Sequence, residues 1–61
     1  MTTGMRVYLT KSYTRGRDME SFRAGERGTI VGFDGPDVAW VQMDDDDFRY
    51  PLPVRILSVQ S

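Results

Sequence analysis

Two apolar runs bracketed by turn residues constrain this chain more than any other feature. Gly28 to Phe33 is β-branched and apolar, Asp34-Gly35-Pro36-Asp37 concentrates turn formers, and Val38 to Met43 is apolar again before the aspartates Asp44 to Asp47. Phe48 to Tyr50 then begins another extended segment, so residues 26–50 read as three strands joined by two turns, a β-meander. In the first turn Gly35 is free to take positive φ and Pro36 fixes φ near −65°. Gly28 marks a bulge or a close backbone approach, and Gly32 marks strong curvature in the same strand.

The flanking residues are placed relative to the meander. Met5 to Tyr13 alternates Met5, Val7 and Leu9 with Arg6, Tyr8 and Thr10, the period of a strand with one buried face. Thr14 to Gly25 is too polar for a core element and reads as an extended loop, with a helical turn capped by Asp18 as a local alternative. Pro51-Leu52-Pro53 cannot donate ladder hydrogen bonds at either proline, so the strand from Phe48 ends at Tyr50 or lies at an edge. Val54 to Ile56 fits one 3₁₀ turn, and Leu57 to Gln60 closes as the fifth strand. The expected core is Val7, Leu9, Ile30, Val41, Met43, Leu52 and Leu57.

The expectation is therefore an all-β fold, a five-stranded barrel in one domain spanning residues 1–61, with residues 1–4 as a flexible tail. The stretch Arg27-Gly28-Thr29-Ile30-Val31-Gly32-Phe33-Asp34 resembles the second strand of KOW, Tudor-like and other SH3-like modules. Val41-Gln42-Met43-Asp44, Tyr50-Pro51-Leu52-Pro53 and Leu57-Ser58-Val59 resemble the third strand and closing segment of the same folds. The layout is similar to the small stromal subunit of photosystem I and to short SH3-like proteins of bacteria and phages. Signalling SH3 domains grip polyproline with an Ala-Leu-Tyr-Asp-Tyr segment and a tryptophan pair. This chain has Val-Tyr-Leu-Thr-Lys-Ser-Tyr at 7–13 and a single Trp40, which argues against that ligand.

Chemistry is bounded by what the chain lacks. It has no cysteine and no histidine in 61 residues, which excludes a disulfide framework and the usual Cys/His zinc sites. Ser12, Ser21, Ser58 and Ser61 have no recognisable activating partner, so no enzyme, cofactor or catalytic residue is expected. No run of about 18 apolar residues offers a membrane span, and the polar start Met1-Thr2-Thr3-Gly4 does not read as a secretory leader. The expectation is a cytoplasmic protein without a membrane partner.

The net charge of −1 hides an uneven distribution, +3 over residues 1–27 and −4 over residues 28–61. The four aspartates read as a solvated turn, with an acidic partner-binding knob or a Ca²⁺ or Mg²⁺ site as alternatives. The consecutive carboxylates lack the glycine and closing glutamate of a calcium loop, so no metal site is assigned. In the loop, Arg15, Arg17, Arg23 and Arg27 suit phosphate contact, with Tyr13 and Phe22 placed to stack on bases. Solvated ion pairs with Asp18 or Glu20 are the plainer alternative.

Trp40 is the most informative single residue. If Val41 and Met43 face the core, alternation sends Val38, Trp40 and Gln42 outward, and Val31 joins them from the preceding strand. Val31, Val38 and Trp40, with Tyr8 and Phe33, then form an apolar patch; a core or rim position for Trp40 is the competing reading. The sequence thus points to a non-enzymatic protein-binding module, an accessory or regulatory polypeptide of bacterial or phage type. Its contacts are the Trp40 face together with Arg15, Arg17, Phe22 and Arg23, and the same face serves a homo-oligomer. The alternatives are a KOW- or Tudor-like module binding nucleic acid or nucleoprotein, and an acidic mimic that occupies a cationic site.

Overall fold

Strand alternation shows most clearly in Val38–Met43, where half-buried and buried residues alternate without interruption. A computed structural model of the chain describes residues 1–15 and 20–60. In chain order it has β1 (Arg6–Leu9), β2 (Tyr13–Arg15), β3 (Glu20–Phe22), β4 (Arg27–Phe33), β5 (Val38–Met43) and β6 (Arg49–Pro53). A 3₁₀ turn (Val54–Ile56) leads into β7 (Leu57–Val59). The fold is all-β: five strands form one antiparallel sheet in the order β6-β5-β4-β1-β7, and β2 pairs with β3 in a separate hairpin. Among the described residues no helix is long and apolar enough to cross a membrane.

Two expectations need correction. The sheet is open, since β6 and β7 are its two edges and do not pair, so the ladder does not close a barrel. β7 has only three residues, and the prolines of β6 leave that edge short of donors. The described residues of the polar stretch after β1 form paired strands instead of an extended loop: Tyr13 pairs with Phe22, Thr14 with Ser21 and Arg15 with Glu20. The helical turn suggested at 18–22 is a strand at Glu20–Phe22, and its cap Asp18 lies outside the described residues. Of the two readings of the proline segment, the edge position holds: β6 is an edge strand and runs through both prolines, with Pro51 opposite Trp40 and Pro53 opposite Val38. An edge position permits this because a missing N–H costs nothing where no neighbour accepts it.

The core forms on one side of the sheet. All seven expected residues are buried, joined by Phe22, Ala39 and Ile56. Phe22 reaches this core from the hairpin and meets Tyr50 edge to face, with ring centroids 4.9 Å apart and an interplanar angle of 66°. At the chain start Gly4 N–H donates to Ile30 O at 2.7 Å, and Ile30 N–H donates to Met5 O at 3.0 Å. Residues 1–3 are exposed.

Two glycines in β4 shape the sheet in different ways. At Gly28 an added Cβ would come within 2.7 Å of both Gln42 O and Val41 Cγ1, so the missing side chain lets β5 lie close. Gly32 belongs to a bulge instead: the register shifts between Ile30, opposite Val41, and Gly32, opposite Trp40, leaving Val31 as the extra residue. A Cβ at Gly32 would meet nothing within 4 Å. Gly28→Ala is therefore predicted to destabilise the fold by roughly 1–3 kcal/mol, because the clash is with a neighbouring strand's backbone. Gly32→Ala should change stability by about 0.5 kcal/mol or less. Urea denaturation of the two variants tests this, and equal effects would contradict the assignment of Gly28 as a close approach.

Candidate functional site

With Ala39, Val41 and Met43 directed into the core, β5 presents Val38, Trp40 and Gln42 on the opposite face. The ladder arranges this outer face in rows. One row is polar and crosses four strands, Arg6 opposite Thr29, Thr29 opposite Gln42, and Gln42 opposite Arg49. The next brings Gly32, Trp40 and Pro51 side by side, and a third pairs Val38 with Pro53. Val31, bulged out beside Gly32, joins Phe33, Trp40 and Arg49 around a shallow groove. A second groove continues along the strands, lined by Asp37, Val38, Pro53, Val54 and Arg55. Phe33 is 42 % exposed, and Val31, Val38 and Trp40 are half-buried.

The structure thus brings Val31, Phe33 and Trp40 together, with Val38 beside them. Tyr8 belongs elsewhere. It lies opposite Arg27 and Ser58 and lines a separate groove with Gly25 and Gln60. The row of Arg6 and Thr29 separates it from Trp40, and rows on one face lie about 7 Å apart. Phe22 is withdrawn from the surface set: at 7 % exposure it fills the core, where its ring cannot stack on a ligand. Arg23 is exposed, and its backbone N–H donates to the Glu26 carboxylate. Arg15 is placed in β2 by its backbone, while its side chain and all of Arg17 lie outside the described residues.

Arg49, Pro51 and Pro53 were missed as members of this face. Their places opposite Gln42, Trp40 and Val38 follow from period 2 once β6 is allowed to run through its prolines. The prolines have a second effect. Without N–H groups at positions 51 and 53, β6 offers an incoming strand a poor template.

The aspartate turn is more structured than a solvated run. Asp44 accepts from both terminal nitrogens of Arg6, one at 2.6 Å, and Arg6 also donates to Thr29 Oγ1 at 2.9 Å. This hydrogen-bonded pairing holds the Asp44 carboxyl below the usual carboxylate range and raises the Arg6 guanidinium. Both side chains are nearly half exposed, at 44 % and 46 %, so the pair is screened by solvent and fixes geometry more than it adds stability. Asp46 accepts from Tyr50 Oη–H at 2.7 Å and from Phe48 N–H at 3.0 Å. The tyrosine hydroxyl, then the Phe48 amide, favour its ionised form and lower its pKa. Among the described residues no group of three or more carboxylates is placed to hold a metal ion.

Comparison of the chain with protein-family models, with curated proteins and with solved structures returns no match.

Asp46 links the turn to Tyr50 and through it to Phe22, so it should matter more than its exposed neighbour Asp45. Its folded-state pKa is depressed, so its stabilising contribution is present above the ordinary carboxylate value and is lost as pH falls through the lower folded value. Asp46→Asn is predicted to lower the thermal midpoint at neutral pH, with the deficit against wild type shrinking below about pH 4. Asp45→Asn should track wild type throughout. Thermal melts across pH read both outcomes, and indistinguishable curves for the two variants would contradict the role given to Asp46.

Proposed function

We propose that this chain is a non-enzymatic protein–protein interaction module with an SH3-like layout, docking another protein on the face built around Trp40. The observation that carries this reading is the groove of Val31, Phe33, Trp40 and Arg49, a solvent-facing apolar surface beside a cation. Tryptophan and arginine are the residue types most enriched where interface energy concentrates. An edge strand with two prolines beside the groove favours face-on docking. The layout reading is supported by the hairpin inserted between the first strand and the meander, and by the 3₁₀ turn before the last strand.

Arg6 is engaged by Asp44, which removes one cation from any phosphate-binding surface, and the net charge of −1 weakens nonspecific attraction to nucleic acid. The reading is tested by site-specific cross-linking in the native host, with a photoreactive residue replacing Gln42 on the same face. Trp40→Ala is expected to remove the cross-linked partner while leaving the melt cooperative, because Trp40 lies outside the buried core. Arg15→Gln with Arg17→Gln should mainly slow association. Micromolar binding to nucleic acid near 150 mM salt, with a salt slope that falls by about one unit for each lost arginine, would replace this reading with the KOW- or Tudor-like alternative.

A further inference from the structure

The Trp40 groove belongs to a strip of three rows in line along β5 and β6. Gln42 and Arg49 form the first row, Trp40 and Pro51 the second, and Val38 and Pro53 the third. These residues share the outer face, because Ala39, Val41 and Leu52 between them are buried in the core. Successive rows are two residues apart on each strand, about 7 Å. The second and third rows are apolar: one groove joins Trp40 to Val31 and Phe33, and the next joins Val38 and Pro53 to Val54. The third row and its groove are only one strand pair wide, about 5 Å between strand axes, which suits an extended chain better than a helix about 10–12 Å across.

Charge distinguishes the two ends of the strip. At the first row Arg49 is exposed, lines the Trp40 groove and makes no ion pair among the described residues. At the far end Arg55 shares its groove with Asp37, so this chain already supplies a carboxylate beside that cation. On the other side of Val31 the turn residues Asp44, Asp46 and Asp47 line an adjoining groove. Those carboxylates repel an acidic residue of a partner, which leaves Arg49 as its place on the strip. The sign of the partner's charge and the row that receives it are both set by the surface.

We infer that the partner contributes an extended segment in which an acidic residue is followed two and four positions on, in either chain direction, by apolar residues. Its carboxylate meets Arg49, the first apolar side chain fills the Val31–Phe33–Trp40 groove, and the second covers Val38, Pro53 and Val54. The match is one of period: side chains on one side of an extended chain recur every second residue, about 7 Å, which is the spacing of the rows. An exposed ion pair adds little affinity, so Arg49 selects the segment while Trp40 holds it. This assignment rests on the reading of the Trp40 face as a protein-docking surface and names the chemistry of its occupant.

Selection of a random displayed-peptide library on the full chain, with Trp40→Ala as the counter-selection, tests it. The expected result is a set of enriched peptides with Asp or Glu two positions from a bulky apolar residue and four from a second. Fluorescence polarisation of an enriched peptide should show binding at least about tenfold weaker to Trp40→Ala. Arg49→Glu should weaken it about tenfold, and replacing the peptide's acidic residue with lysine should restore binding to that variant. Arg49→Gln, the milder change, should weaken it about threefold. Both positions lie outside the buried core, and a cooperative melt checks that each variant is folded. Enrichment without an acidic preference, apolar residues recurring at the three- and four-residue spacing of a helix, or a lysine exchange that fails to rescue would each overturn the inference. A Gln42 photoprobe that captures a Trp40-dependent partner, while the library yields no Trp40-dependent peptide, would refute the extended segment and leave the docking reading standing. Peptides of the expected pattern, for a protein that captures no partner in its host, would do the reverse.

Discussion

The pairing of β4 with β5 is the interaction on which the rest of this structure depends. β4 is the central strand of the five, bonded to β1 on one side and β5 on the other, so its shape is imposed on both halves of the sheet. Gly28 lets β5 approach at one end, where any side chain would strike the Gln42 carbonyl. Three residues later the ladder slips by one at the bulge, and the strand pair bends. Close approach followed by a bend gathers Val7, Ile30, Val41 and Leu52 into one core on a sheet too small to enclose one if flat.

The bulge also shapes the candidate site. Without it, regular pairing from Ile30 and Val41 would place Val31 opposite Trp40 and Phe33 opposite Val38. With it, Gly32 lies opposite Trp40, Phe33 lies opposite Ala39, and Val31 is the extra residue beside them. Trp40 thus has a glycine as its cross-strand neighbour on one side and a proline on the other. Small or rigid neighbours leave one face of a large ring open, and the slot bounded by Val31, Phe33 and Arg49 results. Structure and surface are linked through one inserted residue.

Much of this was legible in the residues, for reasons that can be named. The burial of Val41 and Met43, and with it the outward turn of Trp40, follows from period 2 alone because β5 has no irregularity. Gly28 and Gly32 stood out as misfits in an apolar strand, and each marks a real departure, although the sequence could not say which was the close approach and which the bulge. The pairing of β2 with β3 was hidden because most of their residues are polar. Among their described residues Phe22 is buried in the core and Tyr13 packs partly buried against it, and two isolated aromatic positions give no period. The places of Arg49, Pro51 and Pro53 were hidden because the prolines left open whether the strand stopped at Tyr50 or ran on at an edge, and only the second sets a register with β5. The roles of Asp44 and Asp46 depend on partners at Arg6 and Tyr50, and a carboxylate run carries no mark of which oxygens will find a donor.

The central claim is that the β4–β5 register slips at Val31 and so shapes the Trp40 groove. Cross-strand backbone contacts measured by nuclear Overhauser effects on the isotope-labelled protein test it directly. The account predicts contacts of Ile30 with Val41, of Gly32 with Trp40 and of Phe33 with Ala39. A continuous register, with Val31 facing Trp40 and Phe33 facing Val38, would contradict it and remove the geometric basis of the site.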